Sequence, residues 1–300
     1  MQFFDLHCDT LYKAVTGNSD LDNPKYEVVA KEGKKFDKWC QCMAIWIPDE
    51  FTSRQAIQLF EKAYNKLTCE SKRLGVSLFD EEHEIAEHSF IFTVENGSFL
   101  ADNLDNIGLL QRSNVKMITL TWNAENCIGG GAHAQNTGLT DFGKRCVKEL
   151  EHRGIIVDVS HSSDKTFYDV LDVSEKPIAA SHSNSRKVCN NMRNLSDEQF
   201  VSIVKKQGIV GLNFHREFLS VNSEKASLTD VLKHTEHFLS LGGENTLCIG
   251  SDFDGSDIPK DLNNIRKIPD LYESYLKIGY NEQLVQKIMY NNAYNFFSRF

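Results

Sequence analysis

The chain has 300 residues, 41% of them hydrophobic and 25% charged, enough apolar content to bury one large core. A net charge of −9, with no Lys/Arg cluster, argues against a nucleic-acid surface. No window has the length of a transmembrane helix, the start lacks a basic and then apolar leader pattern, and the eight cysteines form no Cys-x-x-Cys pair, so reduced thiols in a cytoplasmic protein with no membrane partner are expected.

In chain order, Phe3-Phe4-Asp5-Leu6 reads as a short strand running into His7-Cys8-Asp9-Thr10. Alternate residues of a strand share a face, so His7 and Asp9 point the same way. An imidazole and a carboxylate so placed can grip a divalent ion; a histidine bonded to a turn aspartate would look the same. The polar stretch 17–38 reads as a long loop with room for a short helix. Cys40 to Ile47 is the second strand, ended by Pro48, and a helix capped by Ser53 follows, with Ile57, Phe60, Tyr64 and Leu67 on one stripe. The third strand, Phe90 to Val94, closes on Glu95, where a carboxylate is costly unless paired or bound to metal. Phe99, Leu104, Ile107 and Leu110 mark the next helix. Val115 to Trp122 is the fourth strand, and Gly129-Gly130-Gly131 beyond it lacks phosphate-binding spacing and reads as a flexible loop.

Thr140 to Arg153 is an amphipathic helix with Gly154 as its C′ residue. Two short runs of β-branched and small residues follow, from Gly154 to His161 and from Lys176 to His182, and each ends in Ser-His. Such runs mark strands buried on both faces. Between them Asp164 to Leu171 has helical spacing, capped by Ser162 or Ser163. Strand, helix and strand make a βαβ unit, so His161 and His182 emerge at the same end of adjacent parallel strands. That suits a metal. The polar residues 183–194 form a loop over the strand ends, and Ser196 with Gln199 is a capping box for the next helix. Gly208 to Phe214 is the seventh strand, with His215 at its end. His234 and His237, on a helix from Leu228 to Leu239, read as solvated surface. Thr246 to Ser251 is the eighth strand, leading into Asp252-Phe253-Asp254-Gly255, and helical segments from Pro269 and Asn281 finish the chain.

Eight strands with helices between most of them, and no linker or repeat, predict a single (β/α)8 TIM-type barrel domain over residues 1–300. His7/Asp9, Glu95, His161, His182 and Asp252 all follow strands, whose ends meet at one face of a barrel. A metal site is then the leading reading.

Seven stretches carry a family resemblance: Asp5 to Thr10, Thr93 to Gly97, Leu120 to Asn123, Asp158 to Ser162, Ala180 to Asn184, Arg193 to Leu195 and Gly250 to Gly255. Together they resemble the membrane (renal) dipeptidase family of zinc peptidases, among the amidohydrolase-type barrels, and its bacterial, unanchored members in particular. The resemblance implies two Zn²⁺ ions, Mn²⁺ or Fe²⁺ also being compatible with such ligands. It implies His7 and Asp9 on one ion, His161 and His182 on the other, and Glu95 bridging both. Two such ions can ionise a bridging water at neutral pH. Asp252 matches the family's acid/base, and Arg193 the residue that holds a dipeptide's free carboxylate. Trp122 stands where mammalian members have a histidine, and His215 where the family usually has a tyrosine. With Asn123 these are the expected substrate contacts. The implied activity is hydrolysis of dipeptides with a free C-terminal carboxylate, D-residues included. The alternatives are a two-metal amidohydrolase acting on N-acyl amino acids or β-lactams, and a non-catalytic barrel used for binding. The expected partner is a small peptide, and a homodimer is the one assembly considered.

Overall fold

Strands apolar on both faces need cover on both, and a ring of them wrapped in helices supplies it. The computed structural model describes residues 1–79 and 85–300. Its strands are β1 (Gln2–Cys8), β2 (Lys38–Trp46), β3 (Ser77–Leu78), β4 (His88–Glu95), β5 (Met117–Thr119), β6 (Ile156–Asp158), β7 (Ala179–Ala180), β8 (Ile209–Leu212) and β9 (Leu247–Ile249). β1 pairs in parallel with β2 and β9, β2 pairs with β4, and β4 to β9 pair in sequence order. The ring therefore closes on eight parallel strands, a (β/α)8 TIM-type barrel. Two-residue β3 pairs only with the start of β4 and is not one of the eight.

One apolar cluster takes residues from every strand of the ring: Phe4, Leu6, Cys40, Cys42, Ile91, Met117, Ile156, Ala179, Ile209 and Cys248. Only the inside of a barrel brings these together. Phe296 and Phe297, from the helix Asn292–Phe297, join the cluster and stopper the end of the barrel away from the strand C-termini. A larger cluster lies between strands and helices, where Phe60 packs on Phe92 and Phe200 stacks on Phe238 at 4.0 Å. Each such ring contributes roughly 1.5–3 kcal/mol when fully buried. The cysteines are all unpaired, buried except for Cys69 and the half-buried Cys127. Among the described residues no helix is long and apolar enough to cross a membrane.

Local signals set most helix ends where expected. Ser196 and Gln199 form their capping box, and Gly154 takes a left-handed φ of 69° after the helix Asp141–His152. The cap of the helix Ser53–Leu74 is Thr52, whose box partner is Gln55, and Ser163 caps Asp164–Val173. Three expectations change. The segment from Phe99 to Leu110 is broken: Ala101 and Asp102 have left-handed backbones, so turns at Gly97–Leu100 and Leu104–Asn106 precede a short helix, Ile107–Arg112. The glycine stretch is packed, since Gly129, Gly130 and Gly131 are buried and a Cβ on Gly131 would overlap the Trp122 carbonyl. His234 is fully buried: its Nδ1 accepts from the Ser185 amide at 3.1 Å and its Nε2–H donates to the Leu219 carbonyl at 3.0 Å. Burial pushes its pKa down to about 4, as a neutral connector requires. His237, half-buried, pairs with Asp197 at 2.7 Å.

Candidate active site

Every candidate ligand stands at or just beyond the C-terminal end of a barrel strand. At β1 the pairing with β2 slips between Asp5 and Cys8, an irregularity that re-aims side chains at a rim. His7 and Asp9 both reach the site, with His7 Nε2 at 3.3 Å from Asp9 Oδ2. The Asp9 amide donates to Phe253 and the Asp252 amide to His7, lacing the end of β1 to the loop after β9. Glu95 closes β4, and its Oε1 lies 2.9 Å from His161 Nε2 and 3.6 Å from His182 Nε2. Its Oε2 is 3.7 Å from His7 Nε2. Asp252 Oδ1 is 4.0 Å from the same His7 nitrogen. Two groups of ligand atoms lie within 4.8 Å of one another: His7, Glu95 and His182, and His7, Asp9 and Asp252. His7 belongs to both. His161 and Asp252 hold left-handed backbones, at φ 66° and 63°, and strain of this kind costs about 1–3 kcal/mol per residue. Both side chains reach the candidate site, His161 beside Glu95 and Asp252 beside His7.

The electrostatics ask for a cation. Burial, then the positive charges of Arg193 and His7, hold His161 well below the ordinary imidazole range. Burial, His7 and His161 do the same to His182. Both are therefore neutral, and their tautomers follow from their other nitrogens. His161 Nδ1–H donates to Asn123 Oδ1 at 2.9 Å. His182 Nδ1–H donates to Ser181 Oγ at 2.7 Å, because that hydroxyl gives its own proton to Asp158 Oδ2 at 2.5 Å. Both Nε2 lone pairs thus face Glu95, and buried His182 Nε2 has no hydrogen-bond partner. Two acceptors 2.9 Å apart need a proton or a metal ion between them. Burial beside Asp9 and Asp252 raises Glu95 well above the usual carboxylate range, as expected where carboxylates crowd without a cation. For His7, burial opposes the charge, but Glu95, Asp9 and Asp252 outweigh it and raise its pKa to about 10. Three imidazoles and two carboxylates at this spacing fit divalent metal.

The candidate ligands Asp9, Glu95 and His161 line a cavity of about 340 Å³, together with Tyr12, Trp46, Trp122, Asn123, His215 and Asp252. Arg193 borders an adjoining cavity with Asn123, His215 and Phe218. Its guanidinium lies 5.3 Å over the Phe218 ring, is nearly buried, and has no partner for Nε or Nη2. Burial lowers its pKa to about 10, against the pull of Glu95 and Asp252. His215 accepts from the Asp257 amide and sets its ring edge-on to Phe218 at 4.5 Å. Asn123 lines the cavity and also holds His161. Asn213 Nδ2 donates to Asp252 Oδ2 at 3.0 Å, leaving Oδ1 toward His7.

Sequence reasoning missed the two carboxylates beneath the site. Asp158 accepts from the Ser160 and Ser181 amides and from the hydroxyls of Thr119 and Ser181. Asp5 repeats this, accepting from the amides of His7 and Ser251, the Ser251 hydroxyl and Gln41 Nε2. Each ties one strand end to the next and holds a ligand loop in place. An aspartate two or three residues before a strand-end histidine was the available signal. Gly255 was also passed over: a Cβ there would overlap Asp9 Oδ2 and crowd Asp252 Oδ1.

The family model for membrane dipeptidase (peptidase family M19) matches residues 1–299. A curated relative from Klebsiella pneumoniae, the "uncharacterized protein in pqqA 5'region", is 31% identical over 188 residues, covering 59% of this chain and 69% of that protein. The crystal structure of dipeptidase AC, a metallopeptidase of family M19, superposes with a TM-score of 0.89 at 26% identity, covering 100% of this chain and 98% of the other. A Rhodobacter sphaeroides metallopeptidase liganded with a phosphinate mimic of the dipeptide L-Ala-D-Ala superposes equally well, at 0.89 and 23% identity, over 100% and 99% of the two chains, a likeness of fold. With a match over nearly its whole length, a closed barrel, and candidate metal-binding side chains gathered at its C-terminal face, the chain belongs to the membrane dipeptidase family, peptidase family M19.

Proposed function

We propose that this chain is a two-metal dipeptidase that cleaves dipeptides with a free C-terminal carboxylate. The observation that carries the reading is Arg193: a buried guanidinium with two unpartnered N–H groups beside the ligand cluster calls for an anion from outside. Nε and Nη2 share one edge of the guanidinium, the edge that would pair with an entering carboxylate by two parallel bonds. His7, Asp9, Glu95, His161 and His182 would hold the ions, with Zn²⁺ matching the donor set and Mn²⁺ or Fe²⁺ also fitting it. When bound, the pair supplies Lewis-acid polarisation of the scissile carbonyl and lowers the pKa of water.

The chain's own residues do the rest. Arg193, flanked by His215, fixes the substrate's carboxylate end. Asn123 keeps the His161 ring in register, and Trp122 walls the cavity beside it. Asp252, its pKa raised by burial and by Asp9, is oriented by Asn213 and aims its free oxygen at the site. It takes a proton from the attacking water and returns it to the departing amine as the C–N bond breaks. An N-acyl amino acid offers the same carboxylate, so the test must separate the two. Metal-loaded protein is given L,L- and L,D-dipeptides, matching N-acyl amino acids and a β-lactam. Dipeptide turnover with close to two ions per chain is expected; turnover of acyl amino acids alone, or protein that takes up no metal, overturns the reading.

A further inference from the structure

The mouth of the barrel has two unlike sides. Arg193 and His215 come from the loops after β7 and β8. Facing them across the ring are Tyr12 after β1, Trp46 at the end of β2 and Trp122 after β5. Tyr12 meets Trp46 edge-on at 5.1 Å, and Trp46 meets Trp122 at 4.9 Å, so the three rings form a continuous arc. All three line the 340 Å³ cavity and remain only half-buried, leaving apolar area open toward it.

We propose that this arc is the pocket for the side chain of the substrate's amino-terminal residue, and that it selects a large apolar side chain. The inference rests on the dipeptidase reading. With the carboxylate at Arg193 and the scissile amide over the ligand cluster, the first residue of a dipeptide must extend toward the opposite wall. Among the described residues, the charged side chains that line that side of the cavity are already engaged, and Glu50, whose charge is felt at Tyr12, lies outside the lining. Asp254 accepts from Thr10 Oγ1 at 2.6 Å, Lys13 Nζ at 3.3 Å and the Glu27 amide at 3.2 Å. Lys13 is held in the same pair, and Asp9 and Glu95 face the histidines. A charged side chain would lose water there without gaining a counter-ion, whereas a leucyl or phenyl group would cover open ring surface.

The test compares kcat/KM for Leu-Ala, Phe-Ala, Gly-Ala, Asp-Ala and Lys-Ala on the metal-loaded enzyme. Leu-Ala and Phe-Ala should exceed the other three by about 10-fold or more, the scale on which an apolar pocket discriminates. Tyr12→Ala and, separately, Trp46→Leu should each shrink the Leu-Ala to Gly-Ala ratio several-fold. A second readout needs no turnover: Leu-Ala added to metal-loaded Asp252→Asn should shift tryptophan emission, which Trp46 and Trp122 report because Trp39 is wholly buried against Phe90. A preference for Lys-Ala or Gly-Ala, ratios untouched by both substitutions, or unchanged emission would each overturn this pocket while leaving the dipeptidase reading intact. Failure to cleave any dipeptide overturns both.

Discussion

Arg193 offers the sharpest test of how the site reads a substrate. The residue is 7% exposed, its Nε and Nη2 lack partners, and its guanidinium lies over the Phe218 ring. A bond from such a charged donor to a carboxylate contributes roughly 1.5–3 kcal/mol, or about 10- to 150-fold in kcat/KM. Amidating the substrate's C-terminus removes the charge and turns one acceptor into a donor that faces an N–H. A loss within that range is expected. Arg193→Ala acting on the free dipeptide should lose a similar amount. The two changes delete one contact, so the doubly altered combination should be little worse than either alone. Arg193→Lys restores the charge without the fork and should recover only part of the loss. The assay is kcat/KM for four enzyme and substrate combinations under metal saturation. Amidated dipeptides cleaved as well as free ones, or losses that multiply in full, would refute the assignment.

Three further outcomes follow from the same geometry. Ser181→Ala leaves His182 Nδ1–H without its acceptor and Asp158 with one of its four donors gone, so metal should bind about 10- to 100-fold more weakly, measured by competition with a chelator. Asp252→Asn should retain close to two ions by elemental analysis yet lose at least about 10²-fold in kcat, and near-normal kcat would remove Asp252 from the chemistry. Burial and the neighbouring Asp254 raise Glu27 from 4.5 to about 7. Between those values the unfolded chain is ionised while the folded one keeps its proton, so stability falls as pH rises through that window, by up to about 3 kcal/mol. Denaturant titrations at pH 5 and pH 8 should show the fall, and Glu27→Gln, which can still accept from the Asp254 amide, should flatten it.

What could be read without coordinates was whatever neighbours in sequence decide. Strand runs such as Phe90 to Val94, the capping box at Ser196 and Gln199, and the stop at Gly154 all rest on contacts a few residues long. The barrel followed from counting such strands, and the candidate ligands from their polar ends together with the family resemblance, because parallel closure sends every C-terminal end to one face. Pairings between distant segments carry no local signature, and there the reading stopped. Asp5 serves Ser251 across 246 positions, and Asp254 holds Thr10 across 244, clasping the polar stretch after β1 over the site. His234 looked like one polar residue on an amphipathic helix, yet it bridges the Ser185 amide and the Leu219 carbonyl inside the protein. The glycines at 129–131 looked permissive, but the backbone of Trp122 and its neighbours passes too close to Gly131 for any side chain. Tyr12, Trp46 and Trp122 are ordinary aromatics along the chain, and only ring closure sets them in one wall opposite Arg193. Periodicity determines which residues turn inward. Which inward residues meet depends on the register of the closed sheet, and that is a property of the whole chain.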